Sequence, residues 1–133
     1  MYNLFLDDNF TPYDISNLPK TNIKDIERYR KYKWICVRTY EEFILAIKDR
    51  GLPNIVSFDH DLAPEHYEVY NEENFLKNDN EIFLNYDIFE EKTGYHAAEW
   101  LMEYCATYGL ELPICLVHSQ NDVGRKNIIN LLF

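Results

Sequence analysis

Four short clusters in this sequence hold side chains that bind metals, move protons or grip phosphates. They are Asp7-Asp8, Arg38-Thr39, Asp59-His60-Asp61, and His118-Ser119 with Asn121. Asp7, Asp8 and Asp59 form an oxygen-ligand set for a hard divalent cation, Mg²⁺ or Mn²⁺. Crowded carboxylates repel one another, and a cation relieves that repulsion. His60 and His118 titrate near neutrality and suit paired general acid and base roles. Ser119 and Asn121 can donate to phosphate oxygens, and Arg38 can do so with two N–H groups at once. Lys92 and Thr93 precede a helix N-terminus, where a cation, a hydroxyl and backbone N–H groups meet an anion. Together these parts suit phosphoryl chemistry better than acyl transfer, because the chain has no Gly-x-Ser-x-Gly elbow.

Each residue also has a local explanation. Aspartates accept backbone N–H bonds in turns. Thr39 with Glu42 makes a capping box, and Asn121 can cap a helix. A lone His118 is an ordinary satisfied buried histidine. What local structure does not explain is the joint pattern, because every cluster directly follows an apolar run.

Those runs are 2–6, 34–37, 54–58 and 113–117, read as buried strands. Helices are expected over 23–32, on a face of Ile23, Ile26 and Tyr29 or Arg30, and from Thr39 to Gly51, on Phe43, Ile44 and Ile47. A third runs from Thr93 to Gly109, with Ala97, Leu101, Tyr104, Cys105 and Tyr108 on one face. A last one starts at Asn121 or Asp122. Segment 9–21, with Pro12 and Pro19, reads as loop. Short apolar strands alternating with helices predict an α/β fold: a three-layer, small, doubly wound, mostly parallel four-stranded sheet of order 2-1-3-4. The strand ends of such a sheet converge on one rim, where ligand crevices form.

Residues 64–92 break the rhythm. They are acidic, with Lys77 and Lys92 their only lysines, and rich in aromatics such as Tyr67, Tyr70, Phe75, Phe83, Tyr86 and Phe89. They read as an insertion after strand three, a small hairpin or lid, within a single domain over 1–133.

The chain has 133 residues, 47% of them hydrophobic, which is enough for one packed core. A formal net charge of −10 disfavours sequence-independent binding to duplex nucleic acid. Cys36, Cys105 and Cys115 cannot all pair within the chain, and read as buried free thiols of a reducing cytoplasm. Neither a signal peptide nor a membrane span is expected.

With the clusters placed, the chain resembles a receiver-type domain. Paired acids follow strand one, an Asp follows strand three, and a hydroxyl residue, Ser119, follows a later strand. A true receiver adds a fifth strand carrying a Lys, which this chain does not reach. A closer resemblance is to the cyclic-phosphate processing receiver-like family. It rests on LFLDD (4–8), VSFDHDLA (56–63), EKTGYHAAEWL (91–101), and VHSQN with GRKNI (117–128). One departure is Asn9, where a charged residue is expected after the paired acids. His60-Asp61 also has the form of the HD phosphohydrolase ligand pair, but that pair belongs to an all-helical fold.

The resemblance implies a protein that processes or binds cyclic phosphates. The expectation is a phosphoesterase acting on a cyclic phosphate in a nucleotide or at an RNA end, metal-assisted, with His60, His118 and Asp59 catalytic. The alternative is a non-catalytic receiver-like switch or nucleotide-sequestering module. A partner-binding role through the acidic insertion would leave the strand-end clusters unexplained.

Overall fold

The computed structural model describes residues 1–63, 66, 75–78, 81–84, 86 and 91–133, with 75–78 and 81–84 described as backbone. Strands β1 (Asn3–Leu6), β2 (Trp34–Val37), β3 (Ile55–Phe58) and β6 (Ile114–Val117) form an all-parallel sheet in the order β2-β1-β3-β6. This is the order expected, with β6 as the fourth strand of the main sheet. Strands β4 (Phe75–Asn78) and β5 (Glu81–Leu84) make a separate antiparallel hairpin within the expected insertion. The lid reading of 64–92 falls mainly on residues outside those described.

The strands are apolar on both faces because helices cover both. Leu4, Leu6, Val56 and Phe58 pack under α3 (Tyr40–Arg50), α4 (Gly94–Tyr108) and α5 (Asp122–Leu132), through Phe43, Ile47, Ala97, Leu101 and Ile128. Phe5, Ile55 and Leu116 face the other way, toward Ile15 of α1 (Pro12–Ser16) and Tyr29 of α2 (Ile23–Lys31). This is the period-2 alternation of a strand read from both sides. Each such side chain fully removed from water contributes about 1.5–3 kcal/mol.

Register does the positioning. Leu6 pairs with Val37 on one side and Phe58 on the other, and Phe58 pairs with Val117. The four strands therefore end level. The ladder continues one residue further: Asp7 N–H donates to the Val37 carbonyl, Asp59 to Leu6, and His118 to Phe58. Asp7, Asp59 and His118 are thereby fixed side by side on the rim.

Several local expectations fail for identifiable reasons. The stretch 9–21 contains helix α1, started by Thr11 and Asp14, whose side chains and backbone N–H groups cap each other. Pro12 sits at the first helical position, where its missing N–H has no consequence. Cys36 is exposed rather than buried, because β2 is an edge strand; Cys115 is half-buried, and burial pushes its thiol up to about 12. Ile23 is 84% exposed and Tyr108 65%, so neither joins the inner face of its helix. Thr39 caps α3 by accepting the Glu42 N–H, but Glu42 returns its carboxylate to the N–H of Arg38 rather than of Thr39.

Candidate active-site crevice

A cavity of about 730 Å³ opens at the carboxyl end of the sheet. Asp7, Asp8, Asp59, Asp61, His118, Ser119 and Asn121 line it, with Asn9, Phe10, Ile15 and Gln120. Asp7, Asp59 and His118 each present a ligating atom, and these atoms lie within 4.8 Å of one another.

Two of the carboxylates are committed acceptors. Asp7 Oδ1 takes the N–H groups of Asn9 and Phe10 at 2.9 and 2.8 Å, and its Oδ2 lies 3.0 Å from His118 Nε2. Asp61 Oδ1 lies 2.8 Å from His60 Nδ1, and its Oδ2 takes the Asn121 amide at 3.2 Å. Asp59 differs. Its Oδ1 accepts the N–H of His60 at 2.8 Å, and among the described residues nothing donates to its Oδ2. Burial holds the Asp59 carboxyl well above the usual carboxylate range; neighbouring Asp7, then Asp61 and Asp8, add to this.

His118 is buried, stacked on Phe5 at 4.3 Å, and held at both nitrogens. Because Asp7 is an acceptor, we assign the proton to Nε2. Nδ1 then accepts from Ser57 Oγ at 2.6 Å, and Ser57 accepts from the Tyr29 hydroxyl at 2.7 Å. Burial lowers the pKa of the imidazole, and the Asp7 contact only partly offsets this. Burial also raises the pKa of Tyr29, so its hydroxyl stays a donor. Ser57 and Tyr29 escape sequence reading. The available signal was a single hydroxyl inside the apolar run IVSF.

The family model of the cyclic-phosphate processing receiver domain matches residues 2–133. The chain belongs to this family. No curated protein and no solved structure matches it significantly.

Within this receiver domain, not all the expected site residues meet. Asp7, Asp8, Asp59, His118, Ser119 and Asn121 share the crevice, and Ser119 Oγ accepts the N–H of Asn121 at 3.2 Å. Asn121 also caps α5 through the N–H groups of Val123 and Gly124. His60 lies elsewhere. Its side chain is fully enclosed, with Nε2 2.8 Å from the Tyr86 hydroxyl and the ring against Gly124.

Arg38 does not line the crevice either. Its Nη1 donates to the carbonyl oxygens of Asp7 and Phe10 at 2.8 and 3.0 Å, bracing the loop after β1. Lys92 is exposed and away from the cavity wall. Thr93 is buried, with Oγ1 3.0 Å from His96 Nδ1. The residues that do belong, and that sequence reading passed over, are Gln120 and Phe10; Asp61, named with the strand-three cluster but given no role in the site, also lines the wall.

The crevice wall thus carries four carboxyl groups and, among the described residues, no Lys or Arg. Helices α1 to α5 are all too short or too polar to cross a membrane.

Proposed function

We propose that the crevice binds a cyclic phosphate together with a divalent cation and hydrolyses one of the phosphate's ester bonds. The carrying observation is the charge of the wall: an anionic ligand meets Asp7, Asp8, Asp59 and Asp61, and among the described residues that line the crevice there is no Lys or Arg. A phosphate held there needs a positive charge from elsewhere. The donor set fits Mg²⁺ or Mn²⁺: Asp59 and Asp7 offer hard oxygens close together, and Asp8 is a further carboxylate on the same wall. When bound, such an ion offsets the crowded carboxylates and draws electron density from phosphorus.

The chain's own residues supply the remainder. Asp7 orients the His118 imidazole, which holds a transferable proton at Nε2 beside the crevice. Ser57 and Tyr29 keep Nδ1 as the acceptor, so the ring cannot turn its tautomer around. Ser119, Gln120 and Asn121 are positioned to donate to phosphate oxygens. An acid–base pair of His60 with His118 finds no support, because the His60 ring is enclosed away from the wall.

The test is incubation with 2′,3′-cyclic nucleotides and Mn²⁺ or Mg²⁺. Turnover that disappears in an Asp59→Ala, His118→Ala double variant and on adding EDTA supports the proposal; no turnover above the double variant overturns it. Binding without turnover is the second reading. It is favoured by the fact that both nitrogens of His118 already have protein partners. Calorimetric binding of a cyclic nucleotide with no product would select it.

A further inference from the structure

His60 is more deeply buried than a proton-transfer group needs to be, and its surroundings are built to hold it still. Its side chain has no exposure. A Cβ on Gly124 would run into its ring, and a Cβ on Gly94 would run into the carbonyl oxygen of Asp59, next to it in the chain. The Gly94 N–H donates to the His60 carbonyl at 2.8 Å. Both α4 and α5 therefore press on this residue through glycine.

The hydrogen bonds around it run in one direction. Asn127 Nδ2 donates to the Tyr86 hydroxyl oxygen at 2.9 Å. The Tyr86 O–H then points to His60 Nε2 at 2.8 Å. With Nε2 accepting, the ring proton sits on Nδ1, which donates to Asp61 Oδ1 at 2.8 Å. Asn121 donates to the other oxygen of Asp61 at 3.2 Å. Every step ends on Asp61, and Asp61 is a wall of the crevice. Tyr86 is itself locked, with its ring stacked on Tyr95 at 4.3 Å and 8°.

The geometry points to Tyr86 as a positioning residue of the crevice. Through His60 it holds one of the two hydrogen bonds, the other from Asn121, that set which way the Asp61 carboxylate faces a bound ligand. His60 is then the hub of this arrangement, not an acid or base of the reaction. The same chain ties the inserted segment, which supplies Tyr86, to the ligand-facing wall. Removing the hydroxyl at Tyr86 leaves Asp61 to hold the proton on Nδ1 but strips Nε2 of this donor, so of these two ties the His60 ring keeps one. Outer hydrogen bonds of this kind typically change affinity or activity by about 10–100-fold. The catalytic arm of this inference rests on the proposed phosphoesterase reading; the ¹⁵N arm does not.

The experiment compares wild type with Tyr86→Phe, which keeps the stacked ring. The first readout is the imidazole ¹⁵N spectrum of His-labelled protein, with His60 assigned by its loss in His60→Asn. Wild type is expected to show a protonated Nδ1 and a hydrogen-bonded, unprotonated Nε2 at His60; Tyr86→Phe is expected to keep Nδ1 protonated and to shift Nε2 toward the value of an acceptor without a donor. Unchanged His60 nitrogens in Tyr86→Phe overturn the proposal, whatever the enzyme does. The second readout is turnover of a 2′,3′-cyclic nucleotide, where kcat is expected to fall about 10-fold with KM little changed. Wild-type kinetics in Tyr86→Phe also overturn the positioning role. If wild type itself turns nothing over, the phosphoesterase reading fails and the ¹⁵N readout still decides the role of Tyr86.

Discussion

Four aspartates share the rim, and the surroundings of three of them divide the labour. Asp7 takes two backbone N–H groups and a histidine, and Asp61 a histidine and an amide. Asp59, between Asp7 and His118 along the rim, accepts one backbone N–H, and burial with three acidic neighbours disfavours its charge. A carboxyl whose folded pKa is raised binds more protons folded than unfolded. Its contribution therefore falls as pH rises from the ordinary carboxylate value through the raised one. His118 has the opposite sign: its folded pKa is lowered, so its contribution is present above about pH 6.5 and is lost as pH falls toward the folded value. Without added cation, Asp59→Asn should raise the melting temperature most at the alkaline end of a pH series. His118→Gln should remove part of the loss at the acid end. Parallel pH curves for wild type and both variants would show that neither group titrates as its surroundings dictate.

At the scale of elements, glycine decides how closely helices approach the rim. Gly109 ends α4 in the left-handed region at φ 64°, with nothing near its missing Cβ. An alanine there should cost about 1–2 kcal/mol of local backbone strain. Gly124 of α5 has ordinary backbone, but its missing Cβ faces the buried ring of His60. Alanine at 124 should cost about 3 kcal/mol or more, because neither the helix nor the enclosed ring can move away without loss. Urea unfolding at pH 7 compares the two. A Gly124→Ala cost no larger than that of Gly109→Ala would mean that α5 does not clamp His60.

For the molecule as a whole, the relevant quantity is a net charge of −10 with acids concentrated on one rim. Such a fold works against self-repulsion, which salt screens weakly and a specific cation relieves strongly. Millimolar Mn²⁺ should raise the unfolding temperature more than NaCl of matched ionic strength. The gain should grow with the logarithm of Mn²⁺ concentration, reaching about 2.7 kcal/mol at one hundred times the dissociation constant. Asp59→Asn should remove that gain while leaving the response to NaCl. Equal responses to the two salts, or an unchanged Mn²⁺ response in Asp59→Asn, would place any cation binding away from the crevice.

What the sequence by itself determined was the order of strands and helices, because hydrophobic periodicity and capping residues are local signals. The same signals put Asp7, Asp59 and His118 at strand ends, and parallel pairing then carried them to one rim. Local signals failed where a helix is short, as at Pro12–Ser16, and where a strand's neighbour decides exposure, as at Cys36 on the edge. The tertiary structure alone decided which polar residues face the crevice. His118 directly follows its strand and His60 stands one residue further beyond the end of the neighbouring strand; one lines the cavity and the other is enclosed beneath α5. Arg38 turned to carbonyl oxygens instead of the crevice, and Tyr86 reached His60 across 26 positions of chain. A strand's period says which residues end it; only the packing around each side chain says where that side chain can go.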